Sequence, residues 1–111
     1  MPELANIDVS AALELASQTA FLLDVRELDE WQAGHSPLAT HIPLAELPDH
    51  LADLPRDRII VCICRSGGRS ARAGQFLVEN DFEAVNLEGG MTAWANEGQT
   101  IVADSGEPTI I

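Results

Sequence analysis

The chain has 111 residues, 46% of them apolar but only 5% aromatic, and carries a formal charge of −12 from 18 acidic residues against six arginines and no lysine. That length fits one domain with a mostly aliphatic core. Charge this negative argues against nucleic acid or an anionic membrane surface as a partner.

The opening "MPELANIDVS" has no basic n-region and no apolar h-region, so it does not read as a signal peptide. Ile7–Val9 reads as a short strand, and Ser10 as the cap of a helix with apolar positions at Ala12, Leu15 and Ala16. "FLLDVR", Phe21 to Arg26, reads as a buried strand. "ELDEWQAG" places Leu28 and Trp31 three apart and ends at Gly34, a short helix with a glycine stop. "THIPL", from Thr40, is a weak strand closed by Pro43. "LPDHLADLP" then puts Leu47, Leu51 and Leu54 on one helical face, with Pro48 near its start and Pro55 beyond its end.

"IIVCIC", Ile59 to Cys64, is the clearest strand. Its uninterrupted apolar run predicts burial on both faces, as in a parallel sheet, and is far too short to span a bilayer. The next segment has helical spacing, with Ala73, Phe76 and Leu77 inward and Arg72, Gln75 and Glu79 outward; Asn80 or Asp81 can close it with positive φ. "AVNLEGG" reads as another strand and "MTAWANEG" as a last helix with Met91 and Trp94 inward. From Gln99 to Ile111 there is no periodicity, although the apolar "PTII" can pack back on the domain. Repeats and low-complexity segments are absent. The expected organisation is a single domain over 1–111, with a core at about 5–102 and a tail at 103–111.

Alternating strands and helices predict an α/β fold, a parallel sheet with helices on both faces. Ligands of such sheets bind beyond the carboxyl ends of the strands, and Cys64 lies at one such end. Cys62 and Cys64 are two apart on one strand, in poor geometry for a mutual disulfide, and fit a reducing cytoplasm. Cys62, inside the apolar run, reads as a core residue.

Half of the arginines, Arg65, Arg69 and Arg72, follow Cys64 within eight residues. Arg65 to Gly68 form a sharp turn into a helix that begins near Arg69 or Ser70. The first amides of that helix have no intrahelical partner, and its dipole adds positive charge at the same end. The expected site is an anion cradle with a sulfur at its base, which favours thiolate over thiol. A free cysteine has a pKa of about 8.5, and each unit of depression is worth about 1.4 kcal/mol. The plainer readings are that Cys64 is a small core residue and that Arg72 is a surface charge.

"FLLDVRELDEWQAGHSPLATHIPLAEL", "IIVCICRSGGRSARAGQFL" and "VNLEGGMTAW", in that order and spacing, resemble a single-domain rhodanese over roughly residues 5–102. The resemblance implies a three-layer α/β/α rhodanese fold with a five-stranded parallel sheet. It also implies sulfurtransferase activity through a cysteine persulfide. It places the nucleophile on Cys64 and the substrate-binding loop on Arg65, Ser66, Gly67, Gly68 and Arg69, supported by Ser70. Asp24 and Arg26 match the family's D-x-R and imply a buried pair that supports the loop. Glu88, Gly89, Gly90 and Trp94 match its last motif. The chain departs from the pattern at Ser36 and Leu38, where the family shows isoleucine and glycine.

Thiosulfate, or another persulfide donor, is the expected sulfur source. Cyanide or a thiol is the expected acceptor, with no metal and no organic cofactor. His35, His41 and His50 are too dispersed in sequence to suggest a ligand set. The alternatives are a protein-to-protein sulfur carrier, a non-catalytic interaction module, and an arsenate reductase or phosphatase. The last is disfavoured because Cys64 to Arg69 is C-x4-R, one residue shorter than the related phosphatases' C-x5-R.

Overall fold

The computed structural model describes residues 3–111; Met1 and Pro2, at the start of the stretch read above for a signal peptide, lie outside them. Five strands form one sheet: β1 (Ala5–Ile7), β2 (Phe21–Asp24), β3 (Ala39–His41), β4 (Ile60–Ile63) and β5 (Ala84–Leu87). Their spatial order is β1-β5-β4-β2-β3, and every pairing is parallel. Four α-helices cover the faces: α1 (Val9–Gln18), α2 (Leu28–Ala33), α3 (Gly68–Glu79) and α4 (Gly90–Asn96). This is the three-layer α/β/α rhodanese fold. No helix among the described residues is long and apolar enough to cross a membrane.

The uninterrupted apolar run of β4 is explained by its place. It is the central strand, and all four of its residues are buried. Successive side chains alternate between faces. Ile60, Cys62 and Cys64 join one cluster with Leu23, Val25, Leu47, Ala73 and Leu77. Val61 and Ile63 join the other, with Val9, Ala12, Leu22, Leu87, Met91 and Trp94. Each face of the sheet thus has its own core.

Several local expectations are corrected. The first strand is Ala5–Ile7, not Ile7–Val9, and Asp8 rather than Ser10 caps α1, accepting the Ala11 N–H at 2.8 Å. The strand predicted over Phe21–Arg26 stops at Asp24. The leucine-rich segment is a 3₁₀ helix, Leu44–Asp53, with Pro48 inside it. Its leucines still face the core: Leu47 and Leu54 are buried and Leu51 packs against them. A 3₁₀ helix brings every third residue to one side, which suits leucines spaced by four and three less tightly.

Gly34 ends α2 as expected, in extended backbone at φ −179°. Glycine is needed there because the tail lies directly on it: a Cβ would run into the Thr109 carbonyl. The tail, which shows no periodicity, is held by backbone bonds instead. Val102 and His35 exchange a pair at 2.8 and 2.9 Å, and the Thr109 N–H donates to the Ala33 carbonyl at 2.9 Å. Ile110 packs on the second cluster. The departure at Ser36 leaves β3 intact, because the Ser36 hydroxyl accepts the Leu38 N–H at 3.1 Å and closes the turn that leads into it.

Candidate active site

Cys64 is the first residue beyond β4, at the carboxyl end of the central strand. The chain then turns through Arg65 and Ser66 to Gly67, whose φ of 112° directs it into α3. That turn folds donors back onto the sulfur. The Gly67 N–H lies 3.1 Å from Cys64 Sγ, and the Ser70 hydroxyl oxygen lies 3.2 Å from it. Burial opposes ionisation of so enclosed a sulfur. The Ser70 hydroxyl and the amides of Ser70, Gly67 and Ser66 outweigh it and hold the thiol below its ordinary value. Cys62 lacks such donors; burial, and secondarily Cys64, push its thiol up to about 12. The same residue type, two positions apart, is thereby favoured as thiolate in one case and held as thiol in the other.

The outer side of the loop is held by α4. The Met91 N–H donates to the Cys64 carbonyl at 2.8 Å, and the Thr92 N–H to the Arg65 carbonyl at 3.0 Å. Gly90, at φ 55°, approaches so closely that a Cβ would collide with the Cys64 carbonyl. With their carbonyls tied to α4, the loop peptides leave their amides toward the sulfur.

The predicted loop residues divide by environment. Ser70 is fully buried, and Gly67 and Arg69 are partly so; Arg65, Ser66 and Gly68 are exposed. Arg69 is bound by Glu30 of α2 through two bonds, at 2.6 and 2.8 Å. That bond holds the Glu30 carboxyl below the usual carboxylate range and raises the Arg69 guanidinium further. Arg56 and Arg58 bond backbone carbonyls and lie over Phe82 and Phe21. Among the described residues, Arg65 and Arg72 alone of the six arginines have neither a carboxylate within 4.0 Å nor a hydrogen-bond acceptor.

Asp24 and Arg26 are both fully buried and pair with each other, Nη2 to Oδ2 at 2.8 Å. The same nitrogen donates to the Gly34 carbonyl at 2.7 Å. The pair therefore braces the end of α2, and Asp24 lies beside Ile63, the residue before Cys64, where β2 pairs with β4. His35 and His41, six positions apart, converge on Trp31: both rings stack on the indole, at 3.6 and 5.0 Å. Each also bonds a backbone carbonyl, of Trp31 and Arg26 respectively, at 2.7 Å.

A model of the rhodanese-like domain matches residues 8–97. The chain belongs to the rhodanese family. This rhodanese is 41% identical to the Bacillus subtilis (strain 168) protein YtwF over 100 residues, 88% of this chain and 95% of that protein. It is 37% identical over 91 residues to a sulfurtransferase of Allochromatium vinosum, covering 81% and 85%. In three dimensions it resembles a rhodanese-like domain protein of Staphylococcus aureus, with TM-score 0.81, 32% identity, and coverage of 92% and 100%. Sulfur-transfer chemistry of the rhodanese type is thus supported for this chain.

Two residues of the rhodanese site were not singled out from sequence. Glu30 sits among other acidic residues of "ELDEWQAG" and carries no local mark of its partner, which is 39 positions away. Asn86 did carry a signal: it is a polar residue inside the apolar strand "AVNL", and it is buried.

Proposed function

We propose that this rhodanese transfers a sulfane sulfur from thiosulfate, or another persulfide donor, to a thiol or cyanide through a persulfide on Cys64. The observation that carries this reading is the thiol at the carboxyl end of β4, held below its ordinary value by donors from its own loop.

The Cys64 thiolate attacks the outer sulfur of thiosulfate. A new S–S bond forms, the S–S bond of thiosulfate breaks, and its electron pair leaves with sulfite. The terminal sulfur of the persulfide then carries the negative charge. The loop amides are placed to stabilise that charge without reorganisation. Arg65, exposed beside Cys64 and without a carboxylate partner, holds the sulfonate oxygens by charge-assisted bonds. Arg69, balanced by Glu30, keeps the loop in shape more than it attracts the anion. The acceptor thiolate or cyanide attacks the terminal sulfur and expels the Cys64 thiolate, which closes the cycle.

Exposure to thiosulfate followed by intact-mass and peptide analysis is the test. One added sulfur atom on Cys64, absent from Cys64→Ala, is the expected result. A protein that stays bare in excess thiosulfate and in excess of a small persulfide overturns the reading.

The charge of −12 favours a second reading, in which the sulfur arrives from a basic partner protein. In that case a protein-borne persulfide loads Cys64 quickly while thiosulfate loads it poorly.

A further inference from the structure

Asn86 belongs to β5, and its amide bridges three parts of the molecule. Nδ2 donates to Asn6 Oδ1 on β1 at 2.9 Å and to the Gly67 carbonyl at 3.2 Å. Oδ1 accepts the Ser70 hydroxyl at 2.6 Å. The Gly67 carbonyl can only accept, so the nitrogen must face it and the oxygen must face Ser70.

The Ser70 hydroxyl therefore has two claimants for one proton, Asn86 Oδ1 at 2.6 Å and Cys64 Sγ at 3.2 Å. With a neutral thiol both are served: the S–H donates to Ser70 Oγ, and the Ser70 O–H donates to Asn86. After ionisation the S–H proton is gone, and a single hydroxyl proton faces two buried acceptors. One of them is left short, at the cost of a buried unmade hydrogen bond. In the persulfide, Sγ becomes a neutral bridging sulfur and the charge moves to the terminal atom among the amides, so the Ser70 proton returns to Asn86.

We propose that Asn86 is a positioning residue that acts on Cys64 through Ser70, raising the free energy of the bare thiolate relative to the persulfide and so favouring the sulfur-loaded state. The loading half of this inference rests on the sulfur-transfer reading; the thiol half does not. The other charged or titratable groups near Cys64 are Arg65, next to it in the loop and exposed, Arg69 on α3, balanced by Glu30, Cys62 on β4, and the mutually paired Asp24 and Arg26 where β2 meets β4. All of them stay in place in the variants below.

The experiment titrates the Cys64 thiol by ultraviolet thiolate absorbance, with Cys64→Ala as blank. Asn86→Ala is expected to lower the midpoint by about one pH unit. Ser70→Ala raises it, the double variant matches Ser70→Ala alone, and Asn6→Ala leaves the midpoint unchanged. With fixed thiosulfate and sulfite, the ratio of persulfide to bare enzyme in Asn86→Ala falls about tenfold above the thiol midpoint and equals wild type well below it. A midpoint that stays or rises in Asn86→Ala, or that shifts equally without Ser70, overturns the proposal. Should Asn86→Ala not fold, the side-chain carbonyl carbon of Asn86 is followed by NMR in wild type. It should titrate with Cys64, and lose that titration in Ser70→Ala; a flat wild-type curve overturns the proposal. A wild type that never loads sulfur sinks the sulfur-transfer reading, while the titrations still decide the role of Asn86.

Discussion

Glu30 holds Arg69 by both terminal nitrogens, at 2.6 and 2.8 Å, and so ties α2 to the first turn of α3. Glu30 is itself held, since its Oε1 accepts the Glu27 N–H at 3.1 Å. Arg69 is thus an arginine of the cysteine loop whose charge is already answered by the protein. Glu30→Gln keeps the shape and removes the answering charge. Its expected effect is a thiosulfate KM lowered roughly 2- to 5-fold at low ionic strength, with the difference fading at high salt. Steady-state kinetics at two salt concentrations check this. An unchanged KM would mean that Arg69 does not act on the anion through its field.

The pH dependence of stability follows from the lowered thiol. Folding favours the ionised form of Cys64, so its contribution is fully present above the unfolded thiol's pKa of about 8.5 and is lost as pH falls through the lower folded value. The unfolding free energy of wild type minus that of Cys64→Ala should therefore rise between those two points and be level on either side. Urea denaturation across neutral and mildly alkaline pH measures it. The rate of sulfur uptake should climb over the folded midpoint, not over that of free cysteine.

Gly90→Ala tests the clamp from α4. The new methyl group collides with the Cys64 carbonyl, and the left-handed φ adds backbone strain. A loss of roughly 2–4 kcal/mol in stability is expected. Persulfide formation should fall more than the remaining folded fraction explains, because the displaced peptides carry the amides that face the sulfur. Denaturation midpoints and sulfur uptake, measured on the same samples, separate the two effects.

Gly34→Ala should act on the tail alone. Its Cβ displaces the Thr109 carbonyl and breaks the contact that holds the last residues against α2. Limited proteolysis is expected to trim the chain after Ala103 faster than in wild type, with sulfur transfer preserved. Equal trimming rates would show that Val102 and Ile110 hold the tail without that contact.

The 3₁₀ segment shows where local pattern and geometry part. Leu47, Leu51 and Leu54 marked the buried side correctly, because apolar spacing reports which residues seek the core. It does not report the pitch of the backbone, which here is tighter. Gly34 makes a similar point. A glycine after a short helix suggested a stop, and Gly34 does end α2, but the requirement for glycine came from residue 109, which no local pattern could reveal.

By itself, the sequence determined the alternation of strands and helices, the central place of the "IIVCIC" strand, and the gathering of Cys64 with its glycines, serines and arginines at a strand's carboxyl end. Those features are carried by residues adjacent in the chain, where periodicity and turn chemistry act directly. Only the tertiary structure decided which arginine is already paired, that the Asp24–Arg26 pair braces α2, and that the Ser70 hydroxyl lies within hydrogen-bond distance of both Asn86 and Cys64. Each of these depends on side chains brought together from separate elements, and a hydrogen bond is set by distance and direction in space, which linear spacing does not encode.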